Sequence, residues 1–412
     1  MTSELPGCPL DGMNLDEMSV ELAIRQLFDY AAALPASDIF LTAHENSVAV
    51  SVRHLGTYKC VAAIVASAGR HFINHVKASA GMDVAQRRRP ADGRWLYPME
   101  NGKRLDVRVS TIPTLYGEDM AIRLLDSSIG LMELENLGFH RKSLDIMMSL
   151  LARPSGLILV TGPAGAGKTT TLYSCLQYLN DGTRKINTIE DPIEYVLDGV
   201  RQSQVNPKIR LGFPELLTSV LRQSPDVIMV GEIRDPITAE TAVRAANSGQ
   251  LVFATLHAPI AAGAVDSMLA LDVVPYFLST CLIGVVSQRL VRTLCEECRM
   301  SFDLSAAPET FRDIKHLLEP GQGECLYSSP GCEHCNHTGF TNRTGVVEVL
   351  RATTEIRQMI VERRRAREIS DMAVRQGMLD LRHGALLKVA QGVTCMEEVV
   401  RRIPMEYLLP ED

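Results

Sequence analysis

Gly162-Pro-Ala-Gly165-Ala-Gly167-Lys168-Thr169-Thr170 is the stretch that decides the fold of this chain. It fits the pattern G-x-x-x-x-G-K-[ST] in full. The run before it, Gly156-Leu-Ile-Leu-Val-Thr161, predicts a buried strand, and Thr171-Leu-Tyr-Ser-Cys-Leu176 after it predicts a helix. Strand, loop and helix in that order form the setting in which the pattern holds a nucleoside triphosphate. Glycines let the backbone turn tightly enough to aim several N–H groups at one phosphate. The backbone from Gly162 through Pro163, Ala164, Gly165, Ala166 and Gly167 to Thr170 is therefore the expected cradle for ATP. The helix N-terminus adds partial positive charge. Lys168 is expected to reach the β- and γ-phosphates, and the Thr169 hydroxyl to hold Mg²⁺.

Working outward, the chain reads as α/β. With 412 residues it has room for two or three domains, each with its own core. Apolar runs at 156–161, 185–190, 226–231 and 251–255 alternate with helical patterns. That alternation predicts a parallel sheet covered on both faces, in a nucleotide-binding core over 137–292. Upstream, helical spacing at 17–33 and 64–81 mixes with strand-like runs at 38–42, 48–53, 102–110 and 120–124. These predict an α+β domain over 17–125. Residues 1–16 are polar and expected to fray, and 126–136 read as a linker. A cysteine-rich module over 293–345 and a mostly helical region over 346–412 complete the chain.

Charge and hydropathy exclude some classes. The net charge of −7 argues against a nucleic-acid motor, which usually presents a basic surface, so no nucleic-acid partner is expected. No apolar run reaches the ~18–20 residues of a membrane span. The N-terminus lacks a basic-then-apolar signal pattern. A cytoplasmic chain with reduced cysteines is the expectation.

A phosphate loop that hydrolyses its nucleotide needs an acid at the end of a neighbouring strand, to order Mg²⁺ and the attacking water. Glu232 emerges just past the apolar run Val227-Ile-Met-Val230 and supplies one, with Mg²⁺ held directly or through water. Thr188-Ile-Glu-Asp-Pro-Ile-Glu194 supplies a second cluster, where Glu190 and Asp191 end a strand that Pro192 stops. Carboxylates at strand ends face the ligand crevice of an open α/β sheet. Glu190 is placed to orient the water, with Asp191 or Glu194 behind it. His257, after the run Leu251-Val-Phe-Ala-Thr-Leu256, ends another strand, where it can sense the γ-phosphate or bind a water.

Of ten cysteines, four form two C-x-x-C pairs, Cys295 with Cys298 and Cys332 with Cys335. Two such turns complete a tetrahedral Zn²⁺ site, and four thiolates leave no open position, so the metal would be structural. Cys325, His334 and His337 are spare donors nearby. Cys8, Cys60, Cys175, Cys281 and Cys395 read as ordinary thiols.

The order of these boxes resembles the secretion ATPases of type II secretion and type IV pilus assembly, the GspE/PilB family. It adds Leu221-Arg-Gln-Ser-Pro-Asp-Val-Ile-Met-Val-Gly-Glu-Ile-Arg-Asp235, which contains Glu232, and Gln288-Arg-Leu-Val-Arg292 before the cysteines. Ala36-Ser-Asp-Ile39, Arg87-Arg-Arg-Pro-Ala-Asp-Gly93 and Asp106-Val-Arg-Val-Ser-Thr-Ile-Pro-Thr114 resemble its N-terminal domain, and Gly377-Met378 and Gly392-Val-Thr-Cys-Met-Glu-Glu398 its C-terminal helices. The resemblance implies a PAS-like domain followed by a RecA-like P-loop ATPase, with a zinc insertion. It implies a homo-hexamer, peripheral on the cytoplasmic face of the inner membrane, that moves a membrane platform protein. Arg108 and Arg123 match arginines that the first domain offers to the phosphates.

The chain departs from the family pattern at Phe40, Ala164, Ala166, Ser224 and Gln250, and it is expected to lack the long N-terminal docking domain of many members. Backbone N–H groups make the cradle, so the two alanines are expected to be tolerated. An assembly or secretion motor is the leading expectation. A pilus retraction motor is the alternative, against which the cysteine module counts. A nucleotide-sensing ring with weak turnover, for which Ser224 and Gln250 are the support, is the reading from another class.

Overall fold

The computed structural model describes residues 18–99, 104–125, 132–307 and 309–408. The expected frayed segment 1–16, Cys8, and most of the expected linker lie outside them. The chain divides into two compact units, Met1–Gly130 and Leu131–Asp412.

The first unit is an antiparallel sheet of β1 (Ala36–Ala43), β2 (Ser47–His54), β3 (Thr57–Val65), β4 (Ala91–Pro98), β5 (Arg104–Thr114) and β6 (Gly117–Leu125), in the order β3-β2-β1-β6-β5-β4. The helices Val20–Ala33 and Ala66–Ser79 bury Leu27, Phe28, Ile73 and Val76 in one core with Ile39, Val107 and Ile122. Strand alternation turns the next residues outward: along β5, Leu105, Val107 and Val109 are buried while Arg108 is half-buried. Sequence periodicity finds four of these strands and misses β3 and β4. The β2–β3 turn is Leu55-Gly56, with φ of 49° and 73°. A Leu at the first left-handed position lacks the Asn-Gly or Asp-Gly signal that marks such hairpins.

The second unit holds a seven-stranded sheet. Its strands are β7 (Gly156–Thr161), β8 (Ile186–Glu190), β9 (Arg201–Gln204), β10 (Val227–Val230), β11 (Leu251–Leu256), β12 (Leu282–Leu294) and β15 (Phe340–Arg351), ordered β15-β12-β7-β11-β10-β8-β9. Every pairing is parallel except β12 with β15, so the expected parallel sheet carries one antiparallel edge. Residues of β7, β8, β10 and β11 are buried throughout, as a sheet covered on both faces requires. A short pair, β13 (Met300–Asp303) and β14 (Cys325–Ser328), lies in the chain between β12 and β15. Beyond β15 come the helices Thr354–Val361, Ala366–Arg375, Leu381–Ala390 and Met396–Arg402. None of the described helices is long and apolar enough to cross a membrane.

Candidate active site

The glycine-rich loop joins β7 to the helix Lys168–Leu179. Gly162, Gly165 and Gly167 have φ of 143°, 73° and 87°, values that a side chain strains. A Cβ on Gly162 would stand 2.5 Å from the Gln288 carbonyl oxygen. Gln288, on β12, braces the loop from behind: its Nε2 donates to the Ala166 carbonyl at 2.6 Å, and its Oε1 accepts from the Thr171 hydroxyl at 2.9 Å. Arg289 next to it donates to the Gln288 carbonyl at 3.0 Å and to the Pro259 carbonyl at 2.6 Å.

Lys168 folds back on the loop. Its Nζ donates to the Gly162 and Pro163 carbonyls at 2.7 and 3.3 Å and lies 3.5 Å from His257 Nδ1. Burial lowers its pKa, with Glu232 opposing. His257 Nε2 in turn lies 3.1 Å from Glu232 Oε1, and Arg234 Nη2 lies 2.5 Å from Glu232 Oε2. Burial works against the Glu232 carboxylate, but Arg234, His257 and Lys168 outweigh it and hold its pKa below the ordinary value. A cleft of about 170 Å³ gathers Lys168, Thr169, Glu190, Glu232 and His257 at the carboxyl ends of the strands. That is where ligands bind in open α/β sheets.

Glu190 sits deeper than Glu232, at 3% exposure. The Thr188 hydroxyl and Gln202 Nε2 donate to its Oε1 at 2.6 and 3.0 Å, and the Tyr173 hydroxyl donates to its Oε2. Burial, and then the Glu190 carboxylate, push the Tyr173 phenol well above its ordinary pKa. Asp191 and Glu194 line the same cleft. Three donors thus fix the carboxylate, one of them, Tyr173, from the helix that begins at Lys168. The bracing roles of Tyr173 and Gln202 escape a sequence reading, since no strand-end or motif position singles them out, and the boxes that contain Arg234 and Gln288 give no sign of the contacts those two make.

Arg108 and Arg123 lie in the first unit as cross-strand partners on β5 and β6. The row continues to Arg94 on β4, to Asp38 on β1 and to Arg53 on β2. Arg123 Nε donates to Asp38 Oδ1 at 3.2 Å, and Arg94 binds Asp106 through two bonds of 2.8 Å. Phe40 packs beside this row, under the Arg53 guanidinium. Of the other departures, Ser224 adopts φ of 50°, and Gln250 Oε1 is buried without a hydrogen-bond partner.

The sulfurs of Cys295, Cys298, Cys332 and Cys335 all lie within 4.8 Å of one another. Three of the separations are 3.8, 3.9 and 3.8 Å. A tetrahedron with Zn–S bonds of about 2.3 Å has edges of about 3.8 Å, so the four residues fit zinc. The N–H groups of Cys332 and Gly339 donate to Cys335 Sγ, each at 3.2 Å. Burial opposes ionisation of that thiol, but these donors and the neighbouring Cys332 and Cys298 thiols outweigh it and lower its pKa. Cys325, in β14, and the two histidines are not in the cluster.

The family model described as "Type II/IV secretion system protein" matches residues 14–401. The chain is 40% identical over 390 residues to the type IV pilus assembly ATPase PilB of Thermus thermophilus, across 95% of this chain and 44% of that protein. It is 39% identical over 386 residues to the type II secretion system ATPase E of Vibrio cholerae, across 94% of this chain and 76% of that protein. The chain thus spans under half the length of the Thermus relative and about three quarters of the Vibrio one. Among solved structures it resembles the pilus retraction motor PilT with bound ADP, with 26% identity, a TM-score of 0.59, and 92% of this chain and 96% of that one covered.

Proposed function

The chain belongs to the type II/IV secretion system protein family, and from that premise we propose that it is an ATP-hydrolysing motor for type II protein secretion or type IV pilus assembly. The observation that carries the reading is the convergence of Lys168, Glu232 and His257 on one strand-end cleft beside the glycine loop. On this reading the loop amides hold the triphosphate, and Lys168 leaves the Gly162 carbonyl for the β- and γ-phosphates. Thr169 and Glu232 hold Mg²⁺, Glu232 directly or through water. Mg²⁺ bound with ATP neutralises charge that develops on the transferring phosphoryl group. Glu232 and Glu190 orient the attacking water, and His257 reports on the γ-phosphate. Arg108 and Arg123 of the first unit add positive charge at the phosphates.

The finer assignments rest on the same family. The second unit is a RecA-like ATPase core with a structural Zn²⁺ module, and the first is a PAS-like domain. Domain limits lie near residues 125, 136, 292 and 345. The working form is a homo-hexamer, peripheral on the cytoplasmic face of the inner membrane, acting on a platform protein there. The named relatives at 39–40% identity favour assembly or secretion, and the four-cysteine cluster supports them over retraction.

Purified protein is expected to hydrolyse ATP only with Mg²⁺, and Glu232→Gln to lower kcat at least 100-fold. Equal, negligible rates for both would favour a ring that only senses nucleotide. Deleting the gene and scoring surface pili and secreted proteins together separates the two machines.

A further inference from the structure

Glu348 is a buried carboxyl group outside the nucleotide cleft, 2% exposed, toward the C-terminal end of β15. It stands opposite Ser287 of β12. Its Oε1 accepts the Ala261 N–H, and its Oε2 accepts the Leu381 N–H at 3.1 Å. Ala261 is four residues beyond His257 in the chain. Leu381 opens the helix Leu381–Ala390, where a backbone N–H has no partner within the helix. One carboxylate therefore joins the segment after His257 to the C-terminal helices. The same segment is held from its other side, where Pro259 accepts from Arg289, and Arg289 leads through Gln288 to the Ala166 carbonyl in the glycine loop.

We infer that Glu348 is a positioning residue for ATP turnover: its two oxygens tie the segment after His257 to the first turn of the helix Leu381–Ala390 and so fix where His257 stands beside Glu232. A buried carboxyl group that accepts two backbone N–H groups holds their geometry, because releasing either one leaves a buried donor unsatisfied. Thr161 Oγ1 accepts from the Ala258 N–H and lies 3.2 Å from the Leu256 carbonyl, on either side of His257, and Glu348 fixes the stretch beyond them. The inference rests on the ATPase reading given above.

Glu348→Gln tests it in the full chain. Gln keeps the volume but has one acceptor oxygen, so its NH₂ must face one of the two N–H donors. Hydrogen exchange at Ala261 or Leu381 is expected to rise at least tenfold without nucleotide. Turnover is expected to fall about tenfold, while KM for Mg-ATP and ADP affinity stay within about twofold. Unchanged exchange, or faster exchange with unchanged kcat, overturns the positioning role. A wild-type chain that does not hydrolyse ATP overturns the ATPase reading instead.

A second pair of variants decides the matter even if Glu348→Gln does not fold. Leu381 is the first residue of its helix, where proline is tolerated, and Asp380 before it is extended with ψ of 175°. Leu381→Pro removes the N–H, while Leu381→Ala opens space but keeps it. The proline variant is expected to turn over about fivefold more slowly than the alanine variant. Equal rates overturn the inference.

Discussion

Gly162 shows how one missing side chain positions the site. At φ of 143°, with the Gln288 carbonyl 2.5 Å from where a Cβ would be, any other residue must move the loop or β12. Gly162→Ala is expected to cost about 1–3 kcal/mol from backbone strain, before any clash is counted. It is also expected to weaken ADP binding at least tenfold, read by titration calorimetry. Wild-type affinity would show that the loop tolerates a Cβ there. Glu348 sets a pH dependence. Burial, with Asp380 adding, pushes its pKa up to about 7, against the Ala261 and Leu381 N–H groups and Arg289. Its unfolded value is about 4.3, so its stabilising effect is complete below that value and is lost as pH rises through about 7. The loss approaches roughly 3 kcal/mol. The melting temperature of the wild type minus that of Glu348→Gln should therefore fall between pH 5 and pH 8. A difference that does not change with pH would remove Glu348 as the source. The burial cost is largest at the pH where both of its oxygens are free to accept, a trade of stability against a fixed site.

At the scale of elements, the cysteine segment is an insertion in a β-hairpin. Leu294 of β12 pairs with Phe340 of β15, which brings Cys295 and Cys335 to one place. Apart from the four clustered cysteines, the segment's core is small: Phe311 and Ile314 are buried, while β13 is exposed throughout. One zinc per chain is expected by elemental analysis. Its removal by a chelator should raise hydrogen exchange across 295–339 and leave β7, β10 and β11 protected. Equal protection with and without chelator would show that the segment folds without metal. The two C-x-x-C pairs and the strands that end in Glu190 and Glu232 are legible in the sequence because thiol spacing and unbroken apolar runs are local signals. The β12–β15 pair is not. Gln288 and Arg289 interrupt the apolar pattern of β12, yet both are buried, at 3% and 5% exposure, because the loop and Pro259 carbonyls satisfy them. A strand whose polar groups point at another segment cannot be read from its own periodicity. For the same reason Glu190 reads as a strand-end acid, while its three donors, on Tyr173, Thr188 and Gln202, emerge only from the fold.

At the scale of the whole molecule, the chain keeps its phosphate loop and acids in one compact unit and Arg108 and Arg123 in the other. Like charges directly opposite on a sheet are destabilising. Arg94, Arg108 and Arg123 nevertheless stand in one cross-strand row, continued past Asp38 by Arg53. Asp106 binds Arg94, and Asp38 binds Arg123, with Arg53 3.5 Å away. Such a row adds little as exposed salt bridges, which are worth about 0–1 kcal/mol each. It adds much more if the first unit delivers charge to the phosphates, since an arginine in that role is worth on the order of 10³–10⁵ in rate. The two roles separate in the full chain. Arg108→Ala is expected to leave the ADP affinity of the protein nearly unchanged and to lower kcat at least 100-fold. Arg123→Ala is expected to lower kcat similarly and to cost up to about 1 kcal/mol of stability, because it leaves Asp38 with one partner fewer. If both variants turn over ATP at the wild-type rate and lose only stability, the arginine row is structural and the second unit hydrolyses ATP without the first.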